Sequence, residues 1–539
     1  MKLTRDGIIQ NSQAYIDAGY KLPTFDYEKV SKETYENPSW IHFGAGNIFR
    51  AFQANVVQNL LQDGTLSTGL IAVEGFDYEI IEKMYLPHDN LSLLMTLRSD
   101  NTVEKTVVGS IMESLILDRT NETHFHRLEN IFAAPSLQMA SFTITEKGYA
   151  LTDASNNVLP YIEADFAKGP GHAESYLGKV VSLLYTRFVK GALPIAMVSM
   201  DNCSHNGDKL AAAVFAFADA WCEKGFAEKE FSDYVKNPQK VSFPWSMIDK
   251  ITPRPDEEIA KLLSKDNIED LESVVTSRNT FIAPFVNAEE CEYLVIEDLF
   301  PNGRPALEKG GIIFTNRETV DKVEKMKVCT CLNPLHTTLA IYGCLLGYDL
   351  ISEEMKNPYL KKLVEKIGYE EGLPVVINPG IIEPKDFIDE VVNKRIPNPF
   401  LPDTPQRIAT DTSQKLGIRF GETIKAYEQS KTLDVMNLKF IPLVLAGWLR
   451  YLMAVDDNGI SFEPSSDPLL SDCTPYVSKF TLSNEEKDLS CLDELLQNEK
   501  IFGINLESCG LSTLVKSYFL ELSRGTGAVA KTLEKYLSV

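Results

Sequence analysis

The stretch WIHFGAGNIFRAFQANVVQNLLQDG (residues 40–64) limits the possible folds of this chain more than any other. A short, mostly apolar run leads into two glycines. After them, apolar residues recur at Phe49, Phe52, Val56, Val57, Leu60 and Leu61, the 3.6-residue period of a half-buried helix. The order is strand, glycine turn, helix. A second apolar run, GLIAVEGFD (69–77), follows and ends in acid. Gly44 and Gly46 stand where a dinucleotide fingerprint has its first two glycines. The first permits the tight turn, and the second lets a pyrophosphate approach the helix N-terminus. Phe49 occupies the third glycine position, so the match is incomplete. Cofactor contacts are expected at Gly44, Gly46, Asn47, Ile48 and Glu74. Glu74 would accept hydrogen bonds from the adenosine ribose and would repel a 2′-phosphate, which favours NAD over NADP. Asp77 takes that role if the strand runs longer. The plainer alternative is a structural glycine turn with Glu74 as a solvated loop acid.

Downstream, SLQMASFTITEKGYAL (136–151), the helical pattern ESYLGKVVSLLYTRFVKG (174–191) and the buried run LPIAMVSMDN (193–202) continue an alternation of strands and helices. Such alternation builds a parallel or mixed α/β sheet. After residue ~290 nearly every periodic segment is helical. The expected architecture is therefore α/β, with a Rossmann-type N-terminal domain over 1–288 and a mostly α-helical C-terminal domain over 289–539.

A formal charge of −23 over 539 residues makes nucleic acid an improbable partner. No apolar run approaches the ~20 residues of a membrane span, and FIPLVLAGWLRYLMAV, interrupted by Arg450, reads as a buried helix. The start shows no secretory signal pattern, and nine dispersed cysteines fit reduced thiols, so a cytoplasmic protein is expected. The pairs Cys329/Cys331 and His124/His126 lack further ligands nearby in sequence, and no metal site is expected. Oligomeric state is left open.

Several stretches are polar where a core strand or turn should be apolar. SMDNCSHNG (199–207) carries Asp201, Asn202 and Asn206; FPWSMIDKITPRP (243–255) carries Asp249; DTPQRIATDTSQK (403–415) carries Arg407 and Lys415. Singly, each reads as an Asx turn, a helix cap or a solvated cation. Together with HFGAGNIFRAFQ, TITEKGY, LVIEDLF and EKMKVCTCLNPLHTTLAIYG, and in the order they follow along the chain, they resemble the polyol-specific long-chain dehydrogenases, the family of mannitol 2-dehydrogenase and the hexuronate reductases. CLNPLHTTLAIYGCLLGY looks most like the D-mannonate oxidoreductase branch, also called fructuronate reductases. Mannitol 2-dehydrogenase and tagaturonate reductase are the alternatives.

The resemblance implies metal-independent hydride transfer between NAD and a secondary alcohol or ketone of a small sugar acid or polyol. It places the catalytic lysine at Lys327, the oxyanion-binding asparagines at Asn333 and Asn202, and a substrate-contacting histidine at His336. It gives substrate-binding roles to Asp249, Arg407 and Lys415. A non-catalytic dinucleotide sensor is the rival of another class, but a pure binder has no need of a lysine, asparagine and histidine grouped so closely.

The spacing in KMKVCTCLNPLH departs from the family. Five residues separate Lys327 from Asn333 here, against four in the family pattern. At ~100° per residue, lysine and histidine would move from about 80° apart to about 180° apart on a regular helix, onto opposite faces. Two remedies are expected. One is a π-bulge that absorbs the extra residue. The other is a new helix with Asn333 as N-cap and Pro334 at N1.

Overall fold

The computed structural model describes residues 1–254, 257–482 and 488–538. Trp40–Phe43 (β1), Leu70–Glu74 (β2), Ile111–Ile116 (β3), Met139–Phe142 (β4), Ile195–Ser199 (β5) and Val241–Ser242 (β6) form one sheet. Its order is β3-β2-β1-β4-β5-β6, and every neighbouring pair is parallel. That order defines a doubly wound dinucleotide-binding sheet, in which ligands sit beyond the strand C-termini where the order reverses, here between β1 and β4.

The apolar runs of these strands resolve into two cores, residue by residue. Ile41, Phe43, Ile71, Val73, Ala140, Phe142, Ile195 and Met197 pack into one cluster. Trp40, Leu70, Ala72, Met139, Ala196 and Val198 pack into the other. Successive strand side chains point to opposite faces, so a sheet covered on both sides needs a continuous apolar run. All six apolar positions of residues 49–61 named above join the second core. The regular helix there, Ala54–Gln62 (α1), is preceded by a π-helical turn, Phe49–Gln53, which the periodicity does not reveal.

His42 is fully buried on β1. Its Nδ1 lies 2.7 Å from Ser141 Oγ and its Nε2 lies 2.9 Å from Thr143 Oγ1. Phe49 stacks on its ring at a centroid distance of 4.1 Å. Burial pushes its pKa down to about 3. The unfolded chain binds this proton near pH ~6.5, so the associated stability is complete above that pH and is lost as pH falls toward about 3. At pH 5 the loss amounts to about 2 kcal/mol. Urea unfolding at pH 7 and pH 5 should therefore show a smaller acid loss in His42→Gln than in wild type. Equal losses would remove His42 from the acid response.

The polypeptide divides into two compact units, Met1–Arg98 with Thr102–Asp321, and Ser99–Asn101 with Lys322–Val539. The first unit extends beyond the 288/289 division expected above. Ser246–Asp249 (β7) pairs antiparallel with Tyr293–Glu297 (β8), which pairs parallel with Ile313–Thr315 (β9). Strand pairing holds those later residues to the first unit. A further mixed sheet joins 20–21, 103–108, 92–97 and 285–289 in that order.

The second unit is built of helices, among them Asn333–Leu346 (α2), Phe440–Tyr451 (α3) and Ser512–Leu522 (α4). Helix α3 packs against α2 and α4. Its Arg450 is fully buried and donates to the carbonyls of Leu522, Val455 and Asp456. Carbonyl acceptors satisfy this cation inside an apolar helix, as buried polar groups require. Among the described residues, no helix is long and apolar enough to cross a membrane. The nine cysteines form no disulfide.

Candidate active site

In the first unit, Gly44 leaves β1 with φ +107°. Its N–H donates to Val73 O at 2.8 Å, and a Cβ on it would stand 2.2 Å from Thr143 O. Only glycine fits this turn, for both backbone and steric reasons. Gly46 differs: a Cβ there would meet no protein atom within 4 Å. The turn is therefore tight at Gly44 and open at Gly46, just ahead of the helical start at Asn47 and Ile48. A phosphate-bearing ligand needs that combination. Phe49, in the third glycine position, is accommodated by stacking on His42 and by the π-helical turn.

Glu74 ends β2, as read from the sequence. It is buried, and its Oε1 accepts from the N–H groups of Gly75, Phe76 and Asp77, while Oε2 accepts from Ala45 at 3.1 Å. Burial raises its pKa, and the four amides oppose that shift. Glu74 thus braces the glycine turn from β2, and Oε2 retains capacity for one more donor. Asp77 accepts from Thr276 Oγ1 at 2.7 Å.

Beyond β5, two of the polar residues that the sequence places at a strand end organise the edge. Asp201 accepts from the N–H groups of Ile144 and Thr145 and from Tyr149 Oη, which holds the TITEKGY loop against SMDN. Fully buried Asn206 donates to Ser199 O, Asp201 O and Ser246 O, and accepts from Ser246 N–H. It ties the loop after β5 to β7. Asn202 is exposed in that loop, and Asp249 is buried at the end of β7. Gly44, Gly46, Glu74 and Asn202 all lie at or beyond C-terminal strand ends of one sheet.

In the second unit, the stretch KMKVCTCLNPLH uses elements of both remedies. Lys327–Cys331 is a π-helical turn, closed by Leu332 N–H donating to Lys327 O at 3.1 Å. Leu332 then leaves helical geometry, and α2 begins at Asn333 with Pro334 in its first turn. Leu332 takes the cap position and Asn333 is the first helical residue, in contrast to the N-cap role considered for it. The extra residue is absorbed by the wide turn, and the missing N–H of Pro334 falls where a helix has no use for it. Lys327 is buried at 6% exposure. Asn333 is partly exposed.

One turn further on, His336 Nε2 lies 3.4 Å from Asp403 Oδ2, and Asp403 also pairs with Arg407. Burial, then the charges of Arg419, Arg407 and Arg395, push the His336 pKa down to about 3. The imidazole is neutral at physiological pH, so one ring nitrogen donates and the other accepts. Lys415 Nζ donates to Thr410 O. Burial and Arg419 both lower the Lys415 pKa. Lys327, Asn333, His336, Arg407 and Lys415 are thus all in this unit.

Sequence reading missed Arg419. It lies on a second π-helical turn, Gly417–Gly421, packed against the turn Lys327–Cys331. A signal was present, since Arg419 follows Lys415 by four residues and so shares its helical face. The other motifs have local explanations. His124 Nδ1 accepts from Ile116 N–H and His126 Nδ1 lies 3.0 Å from Glu129.

Residues 38–309 match the mannitol dehydrogenase Rossmann domain, and residues 319–518 match the mannitol dehydrogenase C-terminal domain. The chain is 51% identical over 537 residues to the D-mannonate oxidoreductase of Thermotoga maritima, covering 99% of each. It is 26% identical over 492 residues to the D-mannonate oxidoreductase of Escherichia coli, covering 89% of this chain and 93% of that one. Among solved structures it is similar to Pseudomonas fluorescens mannitol 2-dehydrogenase in ternary complex with NAD and D-mannitol, with 27% identity, a TM-score of 0.68 and 100% of both chains covered.

Proposed function

This chain belongs to the mannitol dehydrogenase family, and from that premise we propose that it interconverts D-mannonate and D-fructuronate with NAD. The observation that carries this reading is the full-length, 51% identical D-mannonate oxidoreductase relative. The reaction is D-mannonate + NAD⁺ ⇌ D-fructuronate + NADH + H⁺. When bound, NAD takes up or supplies the hydride at C4 of its nicotinamide. The open face at Gly46, the helical start at Asn47 and Ile48, and the spare capacity of Glu74 Oε2 suit a dinucleotide.

Lys327 takes the proton of the reacting hydroxyl in oxidation and returns it to the oxygen in reduction. Its burial at the head of the π-helical turn supports this role, because a water-poor setting strengthens its hold on a developing alkoxide. Asn333 donates a hydrogen bond to the same oxygen, and Asn202 is the proposed second donor. Neutral His336, steadied by Asp403, contacts a substrate hydroxyl. Asp249 accepts from another. Arg407 and Lys415 contribute further contacts to substrate oxygens.

The discriminating experiment follows NADH absorbance with fructuronate, tagaturonate and fructose in turn. Fructuronate is expected to give the highest kcat/KM. Fructose as the best substrate by far would make the protein a mannitol dehydrogenase, and tight NADH binding without turnover of any of them would favour the sensor. NADPH in place of NADH should be the poorer reductant, because Glu74 would meet its 2′-phosphate. Activity should persist after exhaustive chelation; loss restored only by a divalent ion would refute the metal-independent mechanism.

A further inference from the structure

Three cations of the second unit differ in how their charge is used. Arg407 is paired with Asp403, and its side chain is 62% exposed. Lys415 is half-buried and donates to a backbone carbonyl. Arg419 is also half-buried, but among the described residues no carboxylate pairs with it. One of its nitrogens, Nη1, donates to the hydroxyl of Thr337, a fully buried residue adjacent to His336. That bond tethers one end of the guanidinium and leaves other N–H groups of the fork uncommitted. None of these is sealed from solvent without a partner, so they face accessible space. The turn that carries Arg419 packs on the turn that begins with Lys327.

A partly desolvated guanidinium without a counter-ion is costly, and folding tolerates it where an incoming anion restores the balance. Burial brings the Arg419 pKa down to about 10, and it stays charged at neutral pH. Its planar fork matches the two oxygens of a carboxylate, a geometry that an ammonium lacks. Arg407 already holds a carboxylate of the protein, so its charge is partly spent.

We propose that Arg419 is the residue that binds the substrate carboxylate and so selects sugar acids over uncharged polyols. This rests on the sugar-acid function proposed above and deepens it.

The test compares Arg419→Gln and Arg419→Lys with wild type, using whichever sugar acid the wild type turns over best. Arg419→Gln should raise KM about 100-fold with kcat changed little, as expected for loss of a desolvated charge pair made equally in the ground and transition states. Arg419→Lys, which keeps the charge without the fork, should recover about 10-fold of that loss. NADH affinity and melting temperature should match wild type in both variants. An unchanged KM in Arg419→Gln overturns the proposal. So does equal impairment of the two variants, or impairment that follows a loss of thermal stability, since either marks a structural arginine. A wild type that reduces fructose but no sugar acid fails at the earlier step, and the functional reading falls before Arg419 is tested.

Discussion

Lys327→Ala is expected to lower kcat for sugar-acid oxidation by about 10²–10⁴-fold, the range for removing a positioned general acid–base group. The expectation follows from where the chain puts this lysine. A regular helix through 327–340 would turn Lys327 away from His336 by about half a revolution. The π-helical turn Lys327–Cys331 takes one extra residue into a single turn, so the helix through this stretch is not regular. In the proposed reaction the irregular turn serves to place Lys327, the buried lysine at its head. Lys327→Met, which keeps the buried stem, separates lost chemistry from lost packing. Both variants should bind NADH as wild type does, because Lys327 belongs to the unit without the glycine turn. A variant with nearly wild-type kcat and intact fold would remove Lys327 from the chemistry.

Gly44→Ala and Gly46→Ala should separate two kinds of glycine two residues apart. At Gly44 an added methyl would lie 2.2 Å from Thr143 O, with φ at +107°. Both the clash and the left-handed backbone are unfavourable, and the strain alone is worth about 1–3 kcal/mol. Relief requires β1 to move from β4, which also disturbs the bond from Ala45 N–H to Glu74. The variant should melt lower and bind NADH at least ~100-fold more weakly, a loss of about 2.7 kcal/mol or more. At Gly46 the methyl meets no protein atom, so the melting temperature should hold. NADH affinity should still fall, because the methyl occupies space that the cofactor is proposed to use. Calorimetric titration and thermal melts decide the matter. Full NADH affinity in Gly46→Ala would show that the cofactor does not approach this turn.

Much of the first unit was legible because its signals are local. Gly44 announces a strained turn in one residue, and the run LIAVE announces a strand covered on both faces. Glu74 was legible as the end of β2 but not as a brace, since its partner Ala45 is distant in sequence. Asp201 and Asn206 were visible as polar residues after a strand. Their actual work, holding the TITEKGY loop and β7, depends on contacts 40 to 57 residues away. The end of the first unit was not legible for the same reason: Tyr293–Glu297 joins it through pairing with Ser246–Asp249.

Sequence by itself determined the strand–turn–helix at the glycines, the two-layered burial of the parallel strands and the helical character of the second unit. Each follows from steric or hydrophobic preferences within a few residues. The family also was readable, from the order of seven motifs. Only the tertiary structure decided which cations have counter-ions and which do not. Arg407, Lys415 and Arg419 look alike in sequence, yet among the described residues Arg407 meets Asp403 and Arg419 meets a threonine hydroxyl and no carboxylate. Desolvation and ion pairing depend on what surrounds a charge in three dimensions, and a linear pattern does not carry that information.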